Sequence, residues 1–449
     1  MGVRASLMAL FAGLLLLVAV AAASAADVAG TGRAEIVAAI EQAKEDLWRM
    51  SDWMYHNPEP GHHEQQAVAM LTGYLKDRGW NVEIGLNDVP EYWKPILKGS
   101  WNLDSLPTAW KATYPGQKDG PTIAFLVEYD ALRGPGGQAF HGCQHNLQGP
   151  AGIGAAIAVA EALKEYDLPG KVIVMGTPAE EIPPPVKAIM YDAGWFDGVD
   201  VAIMFHGGTK TSRARTGPSG MALDAFEFVF YGKPAHAAAL PWEGKSALDA
   251  VILMFNGIDA LREHSDPGTR MHGIINDGGA APNVVPERAA TTWMIRHFDR
   301  QYLNQQTEKV FAIAKAAAMM TGTTVEIKPQ GKYDNSLNLD TLEAISFKYG
   351  QEYGGTNVVP PDTCPPKTGA STDFGTVSFN IPAITVSVQS APERTAGHSQ
   401  QNADATIAEI GHNGMLIASK VMASLAWDLF IEPGLIAKTK DEHAKLRGN

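Results

Sequence analysis

Apolar positions along the chain change period several times, and each change marks an element. Ile36, Ile40, Ala43, Leu47, Met50 and Met54 recur near helical spacing and predict a helix over Glu35–Met54. Ala67–Arg78 predicts a second helix, stopped by Gly79. Trp80–Ile84 alternates like a strand, and residues 86–120 are Trp- and Pro-rich without a clear period. Short continuous apolar runs at Thr122–Val127, Lys171–Gly176 and Asp200–Phe205 then read as buried strands. Between them lie a helix of small residues at Gly149–Lys164 and another near Val186–Gly194. Strand, helix, strand, helix, strand predicts a parallel α/β sheet.

The pattern shifts near Gly217. Ala222–Tyr231 alternates like a half-exposed strand, Ser246–Glu263 is helical, and Met271–Asn276 and Arg288–His297 read as strands. An Ala-rich helix at Thr307–Thr321 and a strand at Thr323–Pro329 follow. This β-α-β-β-α-β order is the ferredoxin-like split motif. The α/β pattern resumes with a strand at Ala383–Val388 and a helix at Thr406–Phe430. The expected organisation is a larger α/β domain in two parts, residues 26–214 and 333–449, with an α+β domain inserted at residues 215–332.

Residues 1–25 are expected to lie outside the fold. Arg4 precedes the apolar run Leu7–Val20, and Ala23-Ser24-Ala25 is a small-x-small cleavage site, the features of a secretory signal peptide. The expected compartment is periplasmic or extracellular, with no stable membrane span once the segment is removed. That compartment permits a Cys143–Cys364 disulfide. With 36 Lys+Arg against 49 Asp+Glu, the net charge of −13 disfavours nucleic acid as a partner. At 449 residues and 45% hydrophobic composition, the chain has material for a sizeable core.

Four sites carry residues suited to chemistry. His141-Gly142-Cys143-Gln144-His145-Asn146 follows Glu128-Tyr129-Asp130. In extended chain, Cys143 and His145 point to one side and can face one metal, or they are a buried cysteine beside a satisfied histidine. Ala179-Glu180-Glu181 follows the strand Lys171–Gly176, where α/β proteins bind ligands. The alternative, two acids at a helix N-terminus, is weakened by Pro183-Pro184-Pro185. His206 ends another strand, and His398 sits in the loop Gly397-His398-Ser399. Thiolate, imidazole and carboxylate suit zinc, and carboxylates with imidazoles also suit manganese. Five candidate ligands exceed those of one structural zinc, so two ions is the natural count. Walker, G-x-S-x-G and H-E-x-x-H patterns do not occur.

Together these segments resemble the M20 family of metallopeptidases. The resemblance rests on Glu128–Leu132, His141–Asn146, Gly176–Glu181, His206, Gly232–Ala237 and Pro282–Pro286, in that order along the mature chain. It is closest to the amidohydrolase branch, which includes hydrolases of aminobenzoyl-glutamate and hippurate. The resemblance implies a zinc-peptidase-like α/β catalytic domain with an inserted ferredoxin-like lid. It implies Cys143, His145, Glu181, His206 and His398 as ligands of two divalent ions, zinc or manganese. Glu180 becomes the general base and Asp130 the group that orients a ligand. His236 on the lid reaches the substrate, and Asn283 helps bind it. The implied substrate is an N-acyl amino acid or small peptide with a free carboxylate, and the implied assembly is a homodimer through the lid. Gln144, Arg133 and Ile182–Pro185 depart from the family pattern, which bears on loop shape and substrate pocket.

Three arginines, Arg213, Arg215 and Arg296, are candidate partners for the substrate carboxylate. Trp93, Trp101 and Trp110 either line a pocket for an aromatic acyl group or pack a surface segment. Two competing classes are a hydrolase with Cys143 as nucleophile and a periplasmic small-molecule-binding protein with a vestigial metal site.

Overall fold

In the computed structural model, which describes residues 2–134, 136–359 and 372–448, the continuous apolar runs form the middle of an eight-stranded sheet. Its order is Asn81–Leu86, Leu106–Thr113, Lys171–Gly176, Thr122–Val127, Val201–Gly208, Ala383–Gln389, Thr211–Ser212, Val358–Val359. The central four strands are parallel. Their common direction brings the chain after Val127, Gly176, His206 and Gln389 out at one edge, where an α/β sheet offers a ligand site.

Leu106–Thr113 pairs antiparallel with both Lys171–Gly176 and Asn81–Leu86, so the sheet is mixed rather than purely parallel. The strand Leu106–Thr113 was hidden in the aperiodic Trp/Pro segment because both its faces are covered. Its Trp110 pairs with Gly176, where a Cβ would fall 2.0 Å from the indole nitrogen. Trp93 and Trp110 are fully buried, and Trp101 donates its indole N–H to Pro183 O at 2.7 Å. These tryptophans therefore pack the segment.

The helix of small residues runs over His145–Glu165 and is buried almost all round, as a helix enclosed on every side must be. It lies between the sheet and the helices Gly2–His56 and Glu409–Ile431. The first of these continues the predicted Glu35–Met54 helix toward the N-terminus. The second is apolar and long enough to cross a membrane, yet it is mostly buried within the protein. Helices at Asp340–Glu352 and Leu435–Arg447 complete this part. The sequence pattern did not resolve them.

The inserted domain is a four-stranded antiparallel sheet in the order Arg270–Asp277, Arg288–His297, Ala222–Tyr231, Thr324–Tyr333. Helices Ala247–Glu263 and Arg300–Thr321 cover it through Phe228, Phe230, Val251, Met254, Trp293 and Val310. Ser246 caps the first helix by accepting from Asp249 N. Asp299 caps the second by accepting from the N–H groups of Gln301 and Tyr302. That cap starts the helix at Arg300, ahead of the Ala-rich stretch. Strand Arg270–Asp277 lies at the sheet edge with Ile274 and Ile275 exposed.

Close packing between the helix His145–Glu165 and the strand below it positions the site. A Cβ at Gly152 would fall 2.4 Å from Val127 Cγ1. Gly152→Val should therefore lower unfolding free energy by about 1–3 kcal/mol through overpacking. Chemical denaturation checks this, and a midpoint equal to wild type would refute the close contact.

Candidate metal centre

The parallel strand ends place the predicted residues together. Donor atoms of Cys143, His145 and His206 lie within 4.8 Å of one another, as do those of Cys143, Glu181 and His398, and of His145, Glu180 and Glu181. All five predicted ligands, with Glu180, thus belong to one connected cluster. His398 is the most exposed of them, and its Nε2 lies 3.9 Å from Glu181 Oε2. Cys143 is a free thiol, while Cys364, its expected disulfide partner, falls outside the described residues.

Hydrogen bonds aim the imidazoles. His145 Nδ1 donates to Asp130 Oδ1 at 2.9 Å, and His206 Nδ1 donates to the carbonyl of Gly207 at 2.8 Å. Both rings therefore turn Nε2 toward the cluster. His206 Nε2 is 3.4 Å from Cys143 Sγ. The second oxygen of Asp130 accepts from Glu181 N at 3.0 Å. One carboxylate thus orients a histidine and the backbone of the paired glutamates.

The Gln144 departure has a physical account. This residue adopts φ +65°, where glycine costs least. Its fully buried side chain is anchored instead. Gln144 Nε2 donates to Asn402 Oδ1 at 3.0 Å, and Oε1 accepts from Ser390 Oγ at 2.6 Å. Asn402 in turn donates to Gly142 O at 2.8 Å. The turn bearing Cys143 is so tied to the segment bearing His398.

Several groups escaped the sequence reading. Lys187, fully buried, places Nζ 2.6 Å from Glu128 Oε1 and 2.6 Å from Asp373 Oδ1. Glu64, also fully buried, accepts from Ala179 N at 2.8 Å, holding a residue at φ +56° just before Glu180. The apolar surroundings of Lys187 in Val186–Asp192 were the available signal, since a lysine there needs an internal partner.

Burial sets the electrostatics. It pushes Glu181 up to about 10, against the pull of His145. Burial, with Glu128 and Asp373 nearby, pushes Glu180 up to about 7. Burial would also raise the Cys143 thiol, but His206 and His145 outweigh it and hold the thiol well below its usual range. His145 Nε2 faces two carboxylates, Glu128 Oε2 at 3.2 Å and Glu181 Oε1 at 3.7 Å. Thiolate, imidazole and carboxylate groups, converging in sets within 4.8 Å, fit a divalent transition metal.

A cavity of about 700 Å³ opens over the cluster, lined by Cys143, Glu180, Glu181, His206 and His398. Arg215 also lines it, whereas Arg213 pairs with Asp340 and Arg296 lies on the inserted sheet. His236 and Asn283 are not brought to this site. Both are exposed on the inserted domain, where Ala237 N donates to Asn283 O at 3.0 Å.

Comparison with known proteins agrees with this architecture. Residues 221–320 match the M20 peptidase dimerisation domain. The chain is 32% identical to mouse Xaa-Arg dipeptidase, over 90% of each chain. It is 29% identical to a p-aminobenzoyl-glutamate hydrolase component of Escherichia coli, over 91% of this chain and 94% of that one. Among solved structures, a putative aminohydrolase from methicillin-resistant Staphylococcus aureus aligns with TM-score 0.68 at 20% identity, covering 89% and 100% of the two chains. A Bacillus subtilis protein, described as a dinuclear metal binding peptidase of the M20 family, aligns with TM-score 0.60 at 20% identity, covering 87% and 99%.

Asp130→Asn removes the charge that orients His145, and it should weaken metal affinity by about 10–100-fold. Titration with zinc against a competing chelator measures this. An unchanged affinity would mean that packing alone holds the imidazole.

Proposed function

Because the chain belongs to the M20 family of peptidases and is a metallo-amidohydrolase, we propose that it cleaves the amide bond of an N-acyl amino acid or small dipeptide bearing a free carboxylate. The observation that carries this reading is the place of Glu180, whose carboxylate stands within 4.8 Å of donor atoms of His145 and Glu181 in the cluster. Cys143, His145, Glu181, His206 and His398 would hold two divalent ions, zinc or manganese. The dinuclear description of the Bacillus neighbour supports that count. When bound, the ions supply Lewis acidity, which lowers the pKa of water and polarises an amide carbonyl.

The chain's own residues do the rest. Glu180 takes a proton from the attacking water and passes it to the leaving nitrogen, as a group near neutral pKa does best. Asp130 keeps His145 turned toward the centre. Arg215 in the cavity wall suits the substrate carboxylate. The relatives' names point to two kinds of amino acid, arginine at the end of a dipeptide and glutamate on an aminobenzoyl group.

A homodimer through the inserted domain fits the exposed edge strand Arg270–Asp277, whose unpaired backbone and Ile274 invite a second copy. The substrate roles of His236 and Asn283 then require lid movement or the lid of a second chain, since both sit away from the cavity of their own chain. The Leu7–Val20 run and Ala23-Ser24-Ala25 support export with cleavage after Ala25.

Glu180→Gln should retain about two metal ions per chain and lose turnover by about 100-fold or more. Elemental analysis and amide hydrolysis read the two together, and near-wild-type turnover would refute the role. Only ionised Glu180 accepts a proton, so wild-type activity should rise with pH through an acid limb. A neighbouring cation favours the ionised form, which puts that limb at or below about 7. A limb surviving in the Gln variant would assign it to another group.

Ile274→Asp puts a charge on the apolar sheet edge and should convert the dimer to monomer. Light scattering after size exclusion decides it. A dimer persisting in the variant would place the interface elsewhere.

A further inference from the structure

The wall of the catalytic cavity carries one carboxyl that amide hydrolysis does not use. Glu343 lies in the first turn of Asp340–Glu352, is 5% exposed, and lines the same cavity as Glu180 and Glu181. Its Oε2 accepts a hydrogen bond from Ala214 N at 2.8 Å. Among the described residues no cation lies in salt-bridge contact with it. The nearest basic influence is Arg213, whose guanidinium is already engaged by Asp340. Burial, the largest influence, pushes the acid up to about 8.

A carboxyl withdrawn from water, with one backbone donor and no contacting cation, lacks a charged partner. It stands on the wall of a space that admits substrate, so a ligand can supply what the protein withholds. Around it the wall offers neutral Ser212, Ser219 and Asn338, with Arg215, His206 and His398 as its basic side chains. A ligand cation finds an opposite charge in Glu343. A ligand with two carboxylates offers Glu343 no counter-charge.

We propose that Glu343 is a specificity-determining residue that selects amide substrates whose amino acid carries a cationic side chain, an alkylammonium or guanidinium, beside its free carboxylate. This rests on the hydrolase reading above and narrows its substrate. An ammonium or guanidinium meeting Glu343 forms a charge-assisted hydrogen bond inside a cavity, where such bonds are strongest. Glu343 acts on which substrate is held and leaves proton transfer to Glu180.

The test compares N-benzoyl-lysine, N-benzoyl-norleucine and N-benzoyl-glutamate on metal-loaded protein. Norleucine keeps the four-carbon chain and lacks the ammonium. Wild type should favour lysine over norleucine in kcat/KM by about tenfold or more, and glutamate should be the poorest. Glu343→Gln should reduce the lysine preference by about tenfold while norleucine turnover stays near wild type. Equal loss on lysine and norleucine, or a wild-type preference for norleucine or glutamate, would overturn the proposal and leave the hydrolase reading standing. If Glu343→Gln does not fold, as a thermal melt would reveal, the wild-type ranking alone decides. Hydrolysis of none of the three conjugates would overturn the hydrolase reading, and this inference with it.

Discussion

Charge removed from water has to be met by charge, and that requirement organises the floor of the cavity. Lys187, wholly buried, stands between Glu128 and Asp373, which come from distant parts of the chain. Asp130 is equally enclosed and is matched by His145. Taking one member away leaves another charge stranded, which costs far more than an exposed pair is worth. The chain just after Thr122–Val127, the helix after Glu181 and the segment before Phe374 are thus held in one arrangement. The cluster above inherits its geometry from that floor.

The same logic applies to the donors above the floor. Glu181 is raised far from the usual carboxylate range, and His145 Nε2 stands between the carboxylates of Glu128 and Glu181. The protein completes the hydrogen bonds that aim these groups and leaves their inward faces open. A site arranged this way spends folding energy on preorganisation, so an ion meets donors already in place. Gln144 shows the cost of that arrangement. A left-handed turn that glycine takes freely is here secured by three side-chain and backbone partners.

Much of this was legible in the sequence because it obeyed simple periodicities. Thr122–Val127, Lys171–Gly176, Ala222–Tyr231 and Arg288–His297 have the same bounds in pattern and in structure, since each is either wholly apolar or cleanly alternating. The site residues were legible because they sit where such strands stop. What escaped obeys no local period. Leu106–Thr113 was masked by buried tryptophan on a strand covered on both faces. Lys187, Asp373, Glu64 and Glu343 are polar residues whose meaning lies in partners far along the chain, and no local window contains both members of such a pair. His236 and Asn283 show the converse limit. Their motifs were readable, yet a single chain does not carry them to the cavity.

The anchoring of Gln144 also bears on how the molecule comes into being. The turn that presents Cys143 and His145 is fastened to Asn402, 258 residues further on, and to Ser390, 246 residues further on. During synthesis Cys143 and His145 therefore emerge long before the groups that hold their turn. The loop to be closed includes an entire inserted domain, which can fold meanwhile as a unit of its own. Loop closure over such a span costs little more than over half of it, so equilibrium stability barely registers the distance. Timing does: the turn bearing Cys143 and His145 acquires its native shape only when the last sheet strand and the segment after it have docked.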